Sequence, residues 1–174
     1  RLLRLLAIEP NPEVFEALEK NLPPGATAVR CALGDAPGTA DLSYDRFVSS
    51  TGSLVEPPPI DAGALAKDLG VPKLAAAAIG VVRRLARRTV TCQVRTLSDL
   101  IAEHRLDRVD LLKLDVEGVE ARVLAGIAEG DWPKIRQLVV ETADVEGVGA
   151  TLKGRGFRLS VDQEPFATIK QLGL

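Results

Sequence analysis

The sequence predicts an α/β fold built on a mostly parallel sheet, and three observations predict it. Short apolar runs alternate with stretches whose apolar residues recur at helical spacing, which is the pattern of strand–helix units. Four strand candidates end in a carboxylate, at Glu9, Asp35, Asp115 and Glu141, and in an open parallel sheet such ends share one rim where ligands bind. The stretch RVDLLKLDVEGVEARVLAGI at 108–127 reads in succession as buried strand, acidic turn and amphipathic helix.

Taken in order, Leu2–Ile8 is the first strand candidate and stops at Glu9. Asn11 suits a helix N-cap, Pro12 the first helical position, and Glu13 and Glu16 the positive end of the helix dipole. Val14, Phe15, Leu18 and Leu22 form the apolar face of this helix, and Pro23-Pro24-Gly25 ends it. Ala26–Leu33 is expected to be a second strand, closed by Gly34-Asp35. Pro37-Gly38 turns the chain into a short run from Thr39 to Tyr44, and residues 45–60 read as loop. An alanine-rich segment follows, and about 56–88 is expected to be a helical insertion. Arg83, Arg84, Arg87 and Arg88 near its end read as a solvated helix face, or else as a contact for an acidic partner or lipid surface. Thr89–Val94 is another strand, and Leu97, Leu100 and Ile101 begin a short helix ending near His104. Val109–Leu114 is the central strand, and Val116, Val119, Val123 and Ile127 form the helix face behind it. Ile135–Val140 is a strand ending at Glu141, and Val148–Lys153 a short helix weakened by glycine. Phe157, Leu159 and Val161 alternate as a late antiparallel strand would.

The 174 residues suit a single domain with a substantial core. A net charge of −2 gives no global support for a nucleic-acid partner. The longest apolar run, Leu74–Val82, is too short to span a bilayer, and no signal peptide is visible. Cys31 and Cys92 lack metal-ligand spacing and read as buried thiols of a reducing, cytoplasmic compartment. No other ligand spacing calls for a metal. The chain starts at Arg1 and contains no methionine, which points to a piece of something longer.

Lys113 and Asp115 are two apart and therefore share one face of the central strand. They read either as a structural ion pair or as a site that orients or deprotonates a substrate hydroxyl. Glu9 has the position of an acid that bonds ribose hydroxyls, or it merely opens a turn. Asp35 either accepts from an adenine amino group or serves the Gly34-Asp35 turn. Asp-Val-Glu-Gly occurs twice, at 115–118 and 144–147, and only the first copy ends a buried strand and opens an apolar-faced helix. His104, the single histidine, falls at the edge opposite the carboxylate rim and is expected to be a surface residue.

Several pieces in this order resemble the FkbM-type methyltransferases: AIEPNPEVFEALEKN, CALGDAPGTADL, SSTGSL, VRTLSDLI, VDLLKLDVEGVEARVLAGI and QLVVET. The resemblance implies a Rossmann-like sheet and transfer of a methyl group from S-adenosylmethionine to a hydroxyl of a polyketide, sugar or similar small metabolite, as in secondary metabolism. It assigns Glu9 to the cofactor ribose and places Asn11 and Asp35 near the adenosine. Asp115, Glu117 and Lys113 would line the transfer site, with Glu141 nearby at the substrate. The family's first strand and its glycine-rich turn are missing before Glu9, and that strand lies mid-sheet in this fold. A domain of this type without it would carry a gap. The competing reading is therefore a non-catalytic relic that keeps the fold as an interaction module and binds no cofactor.

Overall fold

The computed structural model describes residues 4–45, 48–53, 87–116, 118–163 and 167–170, together with scattered positions between 63 and 81. The chain opens with β1 (Leu6–Ile8), followed by α1 (Pro12–Asn21). Asn11 caps α1 through its side-chain oxygen, which accepts the Glu13 N–H at 3.0 Å, and Pro12 opens the first turn. β2 (Thr27–Val29) then pairs in parallel with β1, Ala7 opposite Ala28.

The single strand expected over Ala26–Leu33 is in fact two. It breaks at Arg30-Cys31, where the Cys31 N–H turns back to the Val29 carbonyl at 3.2 Å. β3 (Ala32–Leu33) belongs to a different sheet. The cause is burial on both sides: Cys31 and Leu33 face the main core while Ala32 faces a smaller one with Leu42, Tyr44, Cys92 and Val94. Successive residues of a strand point to opposite faces, so β3 serves both cores at once.

The second sheet has the order β3–β6–β4–β5, where β4 is Gly38–Asp45, β5 Val48–Ser53 and β6 Arg87–Arg95. β6 runs parallel to β3 and antiparallel to β4, with Ala40 opposite Cys92. Residues 48–53, expected to be loop, form an edge strand; pairing there is through the backbone, which polar residues supply as well as apolar ones. The arginine cluster is also divided. Arg87 and Arg88 begin β6 rather than ending a helix, and Arg88 lies 3.7 Å from Glu13 at the start of α1. Arg83 and Arg84 lie outside the described residues.

α2 (Leu97–Glu103) follows directly, held by a reciprocal cap between Thr96 and Asp99, and buries Leu97, Leu100 and Ile101. A third sheet begins with β7 (Leu112–Leu114), and the chain goes on through α3 (Glu120–Ala125), β8 (Leu138–Glu141), α4 (Val145–Gly154), β9 (Ser160–Gln163) and β10 (Ala167–Lys170). β7 and β8 are parallel, Leu114 opposite Val140, and β10 inserts antiparallel between β8 and β9. A late antiparallel pairing is present, but β9 starts at Ser160, after Phe157 and Leu159, and the strand set antiparallel beside β8 is β10; α4 is longer than the run Val148–Lys153. Asp144, in the second Asp-Val-Glu-Gly copy, caps α4 by accepting the Gly147 N–H at 2.9 Å.

One core joins these pieces. Leu100, Leu124, Leu138, Val140, Val148 and Leu152 are fully buried in it, and Leu6, Ile8 and Val29 pack against it. Burying each such leucine contributes about 2 kcal/mol. The order β1–β2 on one side and β7–β8–β10–β9 on the other leaves β1 and β7 each with one edge unpaired among the described residues. No helix among the described residues is long and apolar enough to cross a membrane.

Candidate active site

Glu9 follows β1, Asp115 follows β7, and Glu141 ends β8. In β7, Leu112 and Leu114 are buried on one face, so Lys113 projects from the other and is half exposed, not enclosed as a central strand position suggested. Its Nζ lies 3.0 Å from Asp115 Oδ2 and 3.4 Å from Glu141 Oε1. The parallel register makes this geometry inevitable, because Leu114 beside Val140 sets Asp115 beside Glu141. The Asp115 hydrogen bond, followed by the neighbouring charge of Glu141, pushes the Lys113 ammonium above its ordinary range. An ammonium has no lone pair to accept a proton. At neutral pH Lys113 is a fixed cation between two carboxylates, and a proton acceptor at this cluster has to be a carboxylate.

Glu9 is held differently. Its Oε1 accepts the Asn11 N–H at 2.7 Å, while Asn11 itself is 2% exposed. Burial pushes the Glu9 carboxyl up and the Asn11 hydrogen bond partly offsets this. The second oxygen of Glu9 has no hydrogen-bond partner among the described residues, so it is free to accept from a hydroxyl.

Asp35 does not join this rim. The break before β3 carries it to the second sheet, where it lies against the C-terminal end of α3, whereas Asp115 lies before the N-terminal end. Both Nε and Nη2 of Arg122 donate to Asp35 Oδ1, at 3.1 and 2.8 Å, and Arg122 holds the carboxyl below its usual range. Glu117 lies outside the described residues. His104 caps the C-terminus of α2 and is more enclosed than expected, with its side chain 17% exposed. Cys31 and Cys92 are buried free thiols, and desolvation pushes Cys31 up to about 11.

Glu120 and Thr142 are the polar residues that reading the sequence missed, and both are buried, Glu120 to 4% exposure. Glu120 Oε1 accepts the Gly118 N–H at 2.8 Å, and Oε2 accepts the Thr142 hydroxyl at 3.2 Å. The signal was available: Glu120 falls inside the stripe formed by Val116, Val119, Val123 and Ile127, where a carboxylate is out of place.

Parallel strands ending in a presented carboxylate on one side and a charged cluster on the other define a Rossmann-like α/β protein. Over residues 2–159 the chain matches the family described as methyltransferase FkbM domain, and it belongs to that family. It is 34% identical to the 31-O-demethyl-FK506 methyltransferase FkbM of Streptomyces tacrolimicus, over 91% of this chain and 65% of that protein. It is 29% identical to methyltransferase sdnD of Sordaria araneosa, over 94% of this chain and 68% of that one. With methyltransferase 1 of Beauveria bassiana it shares 30% identity over 94% of this chain and 66% of the relative. The chain thus spans about two thirds of the length of these relatives. No solved structure matches it.

Proposed function

We propose that this chain carries the transfer site of a methyltransferase that moves the methyl group of S-adenosylmethionine to a hydroxyl oxygen of a small metabolite. The observation that carries the reading is the Lys113–Asp115–Glu141 cluster at the ends of two adjacent parallel strands. The cofactor supplies an electrophilic methyl group on a sulfonium. The residues here supply position and a proton acceptor. Lys113 fixes the two carboxylates, Asp115 accepts the proton of the attacking hydroxyl, and Glu141 holds a second polar group of the acceptor. Glu9, with one oxygen anchored to Asn11, offers the other to the ribose. Positioning two reactants for an in-line displacement supplies much of such a rate, and a placed base adds about 10²–10⁴-fold.

Glu9→Ala is expected to weaken binding of S-adenosylhomocysteine by about tenfold or more, the loss of one hydrogen bond to a charged group. Because burial raises the Glu9 pKa, its acceptor is lost to protonation as pH falls, and at a higher pH than for an ordinary glutamate. Wild-type affinity should therefore decline on acidification, and the variant should be flat over that range. Calorimetric titration measures both, and an unchanged dissociation constant in Glu9→Ala would reject the ribose role.

A first acceptor to assay is 31-O-demethyl-FK506, the compound in the name of one relative.

A further inference from the structure

We propose that Glu120 and Thr142 are positioning residues that lock the two rim loops together and so hold Asp115 and Glu141 rigidly at the spacing that the strand register gives them. The inference rests on the methyl-transfer reading. The chain after β7 passes from Asp115 to Gly118, whose φ of +91° turns it sharply, and then enters α3. The chain after β8 passes from Glu141 to Thr142 and Asp144. Glu120 ties the two: one oxygen takes the Gly118 N–H and the other the Thr142 hydroxyl, which in turn accepts the Asp144 N–H at 3.1 Å. The link therefore reaches both segments that leave the Lys113 cluster.

A local helix cap does not account for it. Val119, at the N-cap position, makes no side-chain cap bond, and a cap built from Glu120 would need only the Gly118 N–H. The second oxygen instead reaches 22 residues along the chain to the segment that follows β8. No cation pairs with Glu120 among the described residues, and enclosing a carboxylate between two neutral donors is costly. Valine and serine at 142 separate hydrogen bonding from packing: valine keeps the shape and removes the hydroxyl, whereas serine keeps the hydroxyl and removes the methyl.

The test compares Thr142→Val and Thr142→Ser with wild type, each confirmed folded by thermal unfolding. Carbon-13 NMR titration of the Lys113 ε-carbon reports the cluster without needing cofactor or acceptor. The upward displacement of Lys113 should shrink in Thr142→Val and keep its wild-type size in Thr142→Ser. Under turnover, kcat should fall by about tenfold or more in Thr142→Val, as for loss of a positioning contact, with KM little changed. A wild-type titration in folded Thr142→Val overturns the proposal. So does a Thr142→Ser variant more disturbed than Thr142→Val, the order a packing role produces. If wild type transfers no methyl group, the methyl-transfer reading fails separately and the titration still decides the lock.

Discussion

Replacing Asp115 by Asn should abolish methyl transfer, lowering kcat by about 100-fold or more, while the fold survives. The two side chains have nearly the same shape, and an amide oxygen can still receive the Lys113 ammonium that now lies 3.0 Å from Asp115 Oδ2. What the substitution removes is negative charge and the capacity to take a proton. Lys113 cannot compensate, since an ammonium has no lone pair to accept a proton and Glu141 still lies 3.4 Å from it. Stability should change by less than about 1 kcal/mol, because the pair is half exposed and such ion pairs contribute little. Turnover with S-adenosylmethionine and an accepted hydroxyl substrate, set beside a thermal melt, separates the two effects. Near-full activity in a folded Asp115→Asn protein would refute the assignment.

The sequence made β1–α1 and the β7–α3 unit legible because each is locally consistent. Asn11-Pro12-Glu13 has the chemistry of a helix start, and Leu112 and Leu114 alternate with Lys113. The pairing of Lys113 with Asp115 followed from the two-residue period of a strand, and its approach to Glu141 needed only parallel pairing with β8. What failed were inferences that depend on which sheet a strand joins. Ala26–Leu33 looks like one apolar run because three consecutive residues, Cys31, Ala32 and Leu33, are all buried. Only the presence of two cores shows that the run changes sheets, and with that change Asp35 leaves the rim. Residues 48–53 carry serine and threonine without apolar alternation, which reads as loop, yet an edge strand needs none. Glu120 is the converse case: a buried carboxylate inside a stripe of valines is hidden by the apolar pattern around it.

Gly126→Ala should be strongly destabilising, for a reason invisible in one dimension. Gly126 ends α3 with φ near −77°, a backbone that alanine adopts freely, so conformational strain is not at issue. Space is. A Cβ there would stand 2.2 Å from the Gly34 carbonyl oxygen and 3.3 Å from the Asp35 Cα. Both are backbone atoms of a turn that cannot swing aside as a side chain would. Gly34 has no slack of its own, since its own Cβ would meet Val94 at 2.8 Å. The end of α3 and the end of β3 must therefore separate, opening the core around Val123, Leu124 and Leu33. Overpacking of this kind costs about 3 kcal/mol, a sizeable share of the 5–15 kcal/mol that holds a typical domain together. For a chain of this size it should lower Tm by about 6–12 °C. Gly130→Ala is the control, since nothing lies within 4 Å of its added Cβ, and it should melt within a degree or two of wild type, as a surface change worth less than about 0.5 kcal/mol does. The displacement has a second signature. Asp35 is held below its usual range by Arg122, which α3 carries, so moving α3 away should let the Asp35 carboxyl rise towards an ordinary value in a carbon-13 titration. A Gly126→Ala protein that melts with Gly130→Ala and leaves Asp35 low would show that the helix end and the β3 turn are not in the contact described.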